Sequence, residues 1–329
     1  MVRDIATRTG RYILVIWVAL TIAFALPRLA PGEPLDYLLG YDAGTLSPGD
    51  RARVLAQYGL DRPVGEQYLA YMAGIVRGDL GTSVRTGRPV ATLLGPRIAW
   101  TLALTIPTVI LSTIIGVLAG TIAAWRRASR TDLTLTTGAI VLTSIPSFWL
   151  GMLLIAVFAV GLRWLPSIAS LPVEASGLSV AVELARRLLL PIAALTASGV
   201  GWTFLNARAA IEGTLGSDYL ILAQAKGLST SRILVRHALR NALLPIVTNA
   251  SLSFGALMSG AVVVETVFSI PGVGGLIYSS VLSRDYPALQ GAFLITVVGV
   301  VGANILADLM YPLLDPRVRS ARRRRLPQR

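Results

Sequence analysis

The chain has no cysteine, a single histidine and a single lysine (Lys226) in 329 residues, and charged residues make up only 14% of it. Without cysteine there are no disulfides, no thiolate nucleophile and no cysteine metal site. One histidine (His237) cannot build a histidine metal cluster, so no metal is expected. A soluble domain carries about 25% charged residues. At roughly half that share, with 54% hydrophobic residues and a mean hydropathy of +0.66, the chain is no ordinary soluble enzyme, disordered tail or fibrous repeat. A phosphate-binding loop is missing too. The only lysine is followed by Gly227 rather than Ser or Thr after a glycine-rich turn, and Gly272-Val273-Gly274-Gly275 holds no lysine. No catalytic residue and no cofactor are therefore expected on this chain.

What is present is arginine. The net charge of +13 and a pI near 10.9 would suggest nucleic acid in a soluble protein. Here the positive charge stands in short segments between long apolar runs, which points to a lipid bilayer and away from nucleic acid. Residues 12–27, 98–125, 133–162, 188–207, 241–264 and 286–307 contain no Asp, Glu, Lys or Arg. About 20 apolar residues cross the hydrocarbon core as a helix. Five runs are long enough, and the first spans if Arg11 and Arg28 snorkel to the interfaces. Six transmembrane helices are expected. With Arg3, Arg8 and Arg11 ahead of it, the first run also suits a signal peptide, but no clear small-x-small cleavage site precedes the proline-rich stretch that follows.

Four segments carry 18 of the 30 basic residues: the N-terminus, the loop after the second run (Arg126, Arg127, Arg130), the loop after the fourth run, and the tail 315–329 with Arg317, Arg319, Arg322 to Arg325 and Arg329. They alternate so as to share one side, which places both termini in the cytoplasm. The long segment 29–96 mixes arginines with acids and is expected to be external. Within it, Ser47-Pro48-Gly49-Asp50 has the form of a helix start. Val64, Tyr68, Met72 and Ile75 recur at helical spacing, as for a helix packed on the membrane surface or on the other helices. The tail arginines suit a solvated or headgroup anchor or a docking site. Pro107, Pro146 and Pro191 lie inside apolar runs and suggest kinks or hinges. Gly116 and Gly120 form a small-xxx-small pair. Glu265 and Asp308, at the ends of runs, are expected to be interfacial hydrogen-bonding groups rather than proton carriers.

The most unusual segment is 213–244, far longer than a turn between spans requires. Asp218 to Lys226, including Ala223 and Ala225, reads as a short helix stopped by Gly227. Ser229 then suits the N-cap of a second helix running to about Leu244. On that helix Arg232, Arg236 and Arg240 fall at i, i+4 and i+8, flanked by His237 and Asn241. Like charges so spaced repel by a few tenths of a kcal/mol per pair, so the stripe calls for an acidic partner protein or lipid phosphates.

In this segment Ala223-Gln-Ala-Lys-Gly227-Leu-Ser and Arg236-His-Ala-Leu-Arg-Asn-Ala-Leu-Leu-Pro245 resemble the cytoplasmic signature loop of binding-protein-dependent ABC importer permeases, in the dipeptide/oligopeptide/nickel branch. Gly78-Asp-Leu-Gly-Thr-Ser83, Ser144-Ile-Pro-Ser-Phe-Trp149, Glu265-Thr-Val-Phe-Ser-Ile-Pro-Gly272, Arg284-Asp-Tyr-Pro287 and Asp308-Leu-Met-Tyr-Pro-Leu-Leu-Asp-Pro316 extend the likeness over nearly the whole chain. The motif's name-giving Glu-Ala-Ala is Ile221-Leu222-Ala223 here.

The resemblance implies an all-α polytopic membrane protein of the type I ABC importer permease kind. It would form one transmembrane domain over 1–329, in a bacterial-type inner membrane. It further implies that 213–244 is a coupling helix seated on an ATPase, with Asp218, Ala223, Ala225, Lys226, Gly227, Arg232, Arg236, His237, Arg240 and Asn241 as its working residues. The implied partners are a second homologous permease, two ABC ATPase subunits or domains that hold the ATP and Mg, and an extracytoplasmic peptide-binding protein. The implied function is ATP-driven import of di- or oligopeptides. Nickel, glutathione or another small solute is the alternative within the branch, and an ATP-independent channel or ion-coupled carrier the alternative outside it. The absence of native cysteine makes the topology directly testable. A cysteine at position 45 is expected to react with an impermeant maleimide added from outside the cell, and labelling only from the cytoplasmic face would reverse the assignment.

Overall fold

A computed structural model describes residues 2–29, 47–57, 60–169, 178–215 and 217–314. The tail 315–329 and the proposed label position 45 lie outside them. Among the described residues the chain is helical, with one isolated antiparallel bridge, Thr82 to Pro89, and no strand. The helices are α1 (Val2–Leu29), α2 (Pro48–Gln57), α3 (Val64–Arg77), α4 (Val90–Trp125), α5 (Arg130–Ser144), α6 (Ser147–Leu154) and α7 (Leu178–Leu215). They continue as α8 (Asp218–Ala225), α9 (Thr230–Arg232), α10 (Leu239–Gly260), α11 (Val262–Val267), α12 (Val273–Leu282) and α13 (Tyr286–Leu314). Two wider π turns extend the helical path, Ile155–Gly161 after α6 and Ile233–Ala238 between α9 and α10. By internal contacts the chain divides into two compact units, Met1–Thr101 with Pro271–Gly299, and Leu102–Ile270 with Val300–Arg329.

Five helices are long and apolar enough to cross a membrane: α1, α4, α7, α10 and α13. The run 133–162, expected to be one span, is instead broken into α5 and α6, bent by 94° at Ile145–Pro146. The cause is local. The residue before proline is pushed out of the helical region, and Ile145 is extended at φ −87°, ψ 123°. The count reaches six only with this bent pair taken as one span.

In the first unit, α1 and α3 meet through aromatic rings. Phe24 packs edge-on to Tyr68 with centroids 5.2 Å apart and lies 5.5 Å from Tyr71, and the Tyr68 hydroxyl is 2.8 Å from Thr21 Oγ1. Of the helically spaced Val64, Tyr68, Met72 and Ile75, Tyr68 packs on another helix, while Val64 is 60% exposed. Burial pushes the Tyr71 hydroxyl up to about 12, so it stays protonated. The expected start of α2 is also seen, with Ser47 Oγ accepting from Asp50 N–H at 3.2 Å and donating to its carboxylate.

Asp285 organises the rest of this unit. Its carboxylate accepts from Ser83 Oγ at 2.5 Å, from the backbone N–H of Val84 and Arg85, and from Ala288 N–H in the first turn of α13. Two sequence motifs about 200 residues apart, those ending at Ser83 and at Pro287, are thus one structure. Beneath them Val90, Leu94, Val273, Leu276, Ala288 and Ala292 form a buried cluster.

In the second unit α7 is the central helix, packed by α5, α6 and α10. The glycine pair is explained here. A Cβ on Gly116 would sit 2.8 Å from Thr203 Cβ, and one on Gly120 2.9 Å from Arg208 N and Phe204 O, so only glycine lets α4 and α7 approach this closely.

Asp285→Ala removes the acceptor of the Ser83 turn and leaves buried donors unpaired. It is expected to cost about 3 kcal/mol, read as a lower unfolding temperature in detergent, with Asp285→Asn intermediate.

Candidate functional site

The segment 213–244 folds as a compact two-part element. Helix α8 ends at Ala225, and Gly227 follows at φ +72°, the left-handed conformation that stops a helix and that a residue with a Cβ adopts at a cost. The second part differs from expectation. It does not stop near Leu244; α9, the π turn and α10 run without interruption to Gly260. Ser229 precedes α9 but its side chain makes no capping hydrogen bond. Because 233–238 is wound i→i+5, four residues there fall short of a full turn. The stripe of Arg232, Arg236 and Arg240 is therefore slanted across the surface rather than straight, and all three remain exposed.

The element is amphipathic in the folded state. Leu220, Ile233, Ala238, Ala242 and Ile246 are buried in one cluster with Val117 and Ala124 of α4 and Ala207 and Ile211 of α7. Opposite this seat Asp218, Ala225, Lys226, Gly227, Arg232, Arg236, Arg240 and Asn241 are exposed. The side chains of Ala223 and His237 lie outside the described residues, although their backbones sit in α8 and in the π turn. Most of the expected site residues thus share one element with its apolar side anchored and its cationic side open.

An ion cluster beside it was not anticipated. Arg208, near the end of α7, makes a bidentate contact with Asp132 at the start of α5, Nε to Oδ1 at 2.7 Å and Nη2 to Oδ2 at 2.8 Å. Asp132 is 6% exposed and also accepts from Ala128 N–H, in a turn where Ala128 is left-handed at φ 60°. Ser129 Oγ in turn caps Asp132 N–H. Arg208 Nη1 reaches Glu212 at 3.1 Å, and Glu212 holds Arg127 at 2.7 Å. The turn 126–129 is thereby fastened to the last turns of α7, just ahead of α8. The Arg208/Glu212 spacing of four was visible in the sequence; the partner 76 residues away was not.

Glu265 also differs from expectation. It is 0% exposed in α11 rather than at an open interface. Among the described residues no group of three or more His, Cys, Asp or Glu is placed to hold a metal.

Long apolar helices, a broken span and an anchored cationic element between two of them define a polytopic α-helical membrane protein. The chain belongs to the family of binding-protein-dependent transport system inner membrane components, whose model matches residues 116–320. It is 34% identical to the oligopeptide transport system permease protein AppB of Bacillus subtilis over 321 residues, covering 97% of this chain and 99% of that one. It is 34% identical to the di/tripeptide transport system permease protein DppB of Pseudomonas aeruginosa, covering 98% and 100%. The dipeptide transport system permease protein DppB of Escherichia coli K12 is 33% identical over 97% of this chain. In three dimensions the chain resembles a chain of the MetNI methionine ABC transporter in an inward-facing crystal form, with TM-score 0.56 and 18% identity over 68% of this chain and 96% of that one. The fold is that of an ABC importer permease.

Removing the arginine of the buried pair strands a carboxylate. Arg208→Ala is expected to cost about 3 kcal/mol, and the charge-swapped pair Asp132→Arg with Arg208→Asp should recover part of it. A double-mutant cycle on thermal unfolding reads the coupling.

Proposed function

We propose that this chain is the transmembrane permease subunit of an ATP-driven importer of di- or oligopeptides. It supplies half of the translocation path and takes its energy from separate ATPase subunits. The observation that carries the reading is the element 213–244. A chain without a Gly-Lys-Ser/Thr motif presents an anchored, outward-facing cationic surface broken by a left-handed glycine, and its relatives of matching length are named as peptide permeases.

In this reading Asp218, Ala225, Lys226, Arg232, Arg236, Arg240 and Asn241 meet an ATPase partner, with Ala223 and His237 on the same element. Gly227 sets the angle between the two helices. ATP and Mg stay on the ATPases. Closure of the paired ATPases pushes the element, and its seat on α4 and α7 hands that motion to the spans. The Arg208–Asp132 pair adds a stiff link from α7 to α5. Both termini lie in the cytoplasm, on the side of the four arginine-rich segments. A second homologous permease completes the path, and an extracytoplasmic peptide-binding protein delivers substrate to segment 29–96.

The test is peptide uptake and ATP hydrolysis by the complete transporter in vesicles. Among the described residues nothing lies within 4 Å of a Cβ placed at Gly227, so the penalty there is conformational, from the left-handed backbone. A β-branched residue in the left-handed region costs about 1–2 kcal/mol, which would reorient α8 against α9. Gly227→Val is therefore expected to reach the membrane at normal abundance while retaining less ATPase on purification or hydrolysing ATP without matching uptake. Normal uptake by that variant would make the segment a mere connector.

A further inference from the structure

Helix α3 has three sides rather than two. One packs on α1 through the rings of Tyr68 and Tyr71. A second carries Glu66, Ala70, Ala73 and Arg77 at i, i+4, i+7 and i+11, all exposed and with a charge at each end. The third carries Leu69, Met72 and Val76 at i, i+3 and i+7 and is apolar throughout. Leu69 is 68% exposed and Val76 87%. The apolar side that α1 covers is therefore not the only one.

The height of α3 along α1 follows from what it touches. The Tyr68 hydroxyl is 2.8 Å from Thr21 Oγ1, and both tyrosine rings lie against Phe24. Thr21 and Phe24 belong to the uncharged run 12–27 and stand before its end. At 1.5 Å of rise per residue, these contacts lie about 5–9 Å inside the apolar stretch. Arg28, just past the run, turns its guanidinium to Phe24 O at 2.8 Å and to Gln67 Oε1 at 2.6 Å. That is a cation held at the edge of the hydrocarbon. With 14 residues, α3 is too short to cross a bilayer. It starts after Pro63 and stops at Gly78, left-handed at φ +78°, so it lies beside the end of the span as a separate helix. At the same height on α1, Val18, Ile22 and Leu26 are exposed, so an apolar surface already faces outward where α3 packs.

We propose that α3 is an interfacial helix, with Leu69, Met72 and Val76 sunk in the acyl chains of the leaflet that the last turns of α1 cross. The Glu66–Arg77 side then faces headgroups and water. Helices of this kind bury their apolar side about 5–10 Å into the headgroup and acyl boundary, the depth at which Tyr68 and Tyr71 meet α1. Tyrosines favour that level, since their rings are apolar and their hydroxyls polar. Lipid is the occupant because the open edge of α3 continues the outward apolar surface of α1 at one height. The segment 29–96 is thereby held to the membrane at α3 instead of standing clear of it. The inference needs only a chain that crosses a bilayer and is independent of what that chain transports.

The test exploits the cysteine-free sequence. Leu69→Cys, Val76→Cys, Glu66→Cys and Arg77→Cys are each labelled with bimane in the complete transporter, reconstituted in phosphatidylcholine vesicles. Ile22→Cys, on the open side of α1, sets the value for full lipid contact. Lipids with a nitroxide at the upper end of the acyl chain are expected to quench positions 69 and 76 about threefold more than 66 and 77, as a side buried to this depth requires. Iodide in the buffer should give the reverse order. Iodide reaching 69 and 76 as readily as 66 and 77 would overturn the proposal, because the edge would then face water. Equal lipid quenching at all four positions would overturn it too, since α3 would be sunk on every side. Protection of 69 and 76 from both quenchers would assign the edge to a protein partner and exclude lipid. None of these outcomes touches the importer reading, which uptake by the unlabelled wild type tests separately.

Discussion

A charge inside hydrocarbon must be paired or moved to an edge, and that requirement organises this molecule. Arg208 stands just past the end of an uncharged run, with its side chain largely buried and Glu212 one turn on as its nearest acid along the chain. The solution is Asp132, placed at the first turn of α5 by the Ser129 cap and also securing the strained Ala128 turn. Glu212 and Arg127 extend the pair into a chain of alternating charges. One bidentate contact thereby decides how α5 lies along α7, and the geometry of α7 decides where α8 begins.

The same economy is visible in the other unit, with backbone donors in place of arginine. Asp285 is buried because the Ser83 turn offers it a hydroxyl and two amide hydrogens, and the first turn of α13 a third. A carboxylate so supplied replaces its water with directed donors. It ties a turn between helices to the entry of the last span.

Within the second unit the helices touch closely where side chains vanish. Gly116 and Gly120 bring α4 against α7 at backbone distance. The anchored element 213–244 then rests on both, its apolar residues held by α4 and α7 and its arginines turned out.

Much of this was readable along the chain. Charge-free runs located the long apolar helices, since the bilayer's thickness acts on consecutive residues. Gly227 announced the break after α8, Ser47 the start of α2, and Gly116 with Gly120 a close contact, because each is a local rule about backbone or capping. Pro146 signalled a kink though not its 94° angle, and the continuation of α9 through a π turn into α10 left no mark in the residue pattern. The arginine stripe was legible as a stripe, and its slant was not, because periodicity assumes 3.6 residues per turn. The pairs Asp132–Arg208, Trp202–Asn249 and Ser83–Asp285 lie 76, 47 and 202 residues apart. Only the packed helices could bring them together, since a hydrogen bond depends on distance in space, whereas a single sequence records only order along the chain.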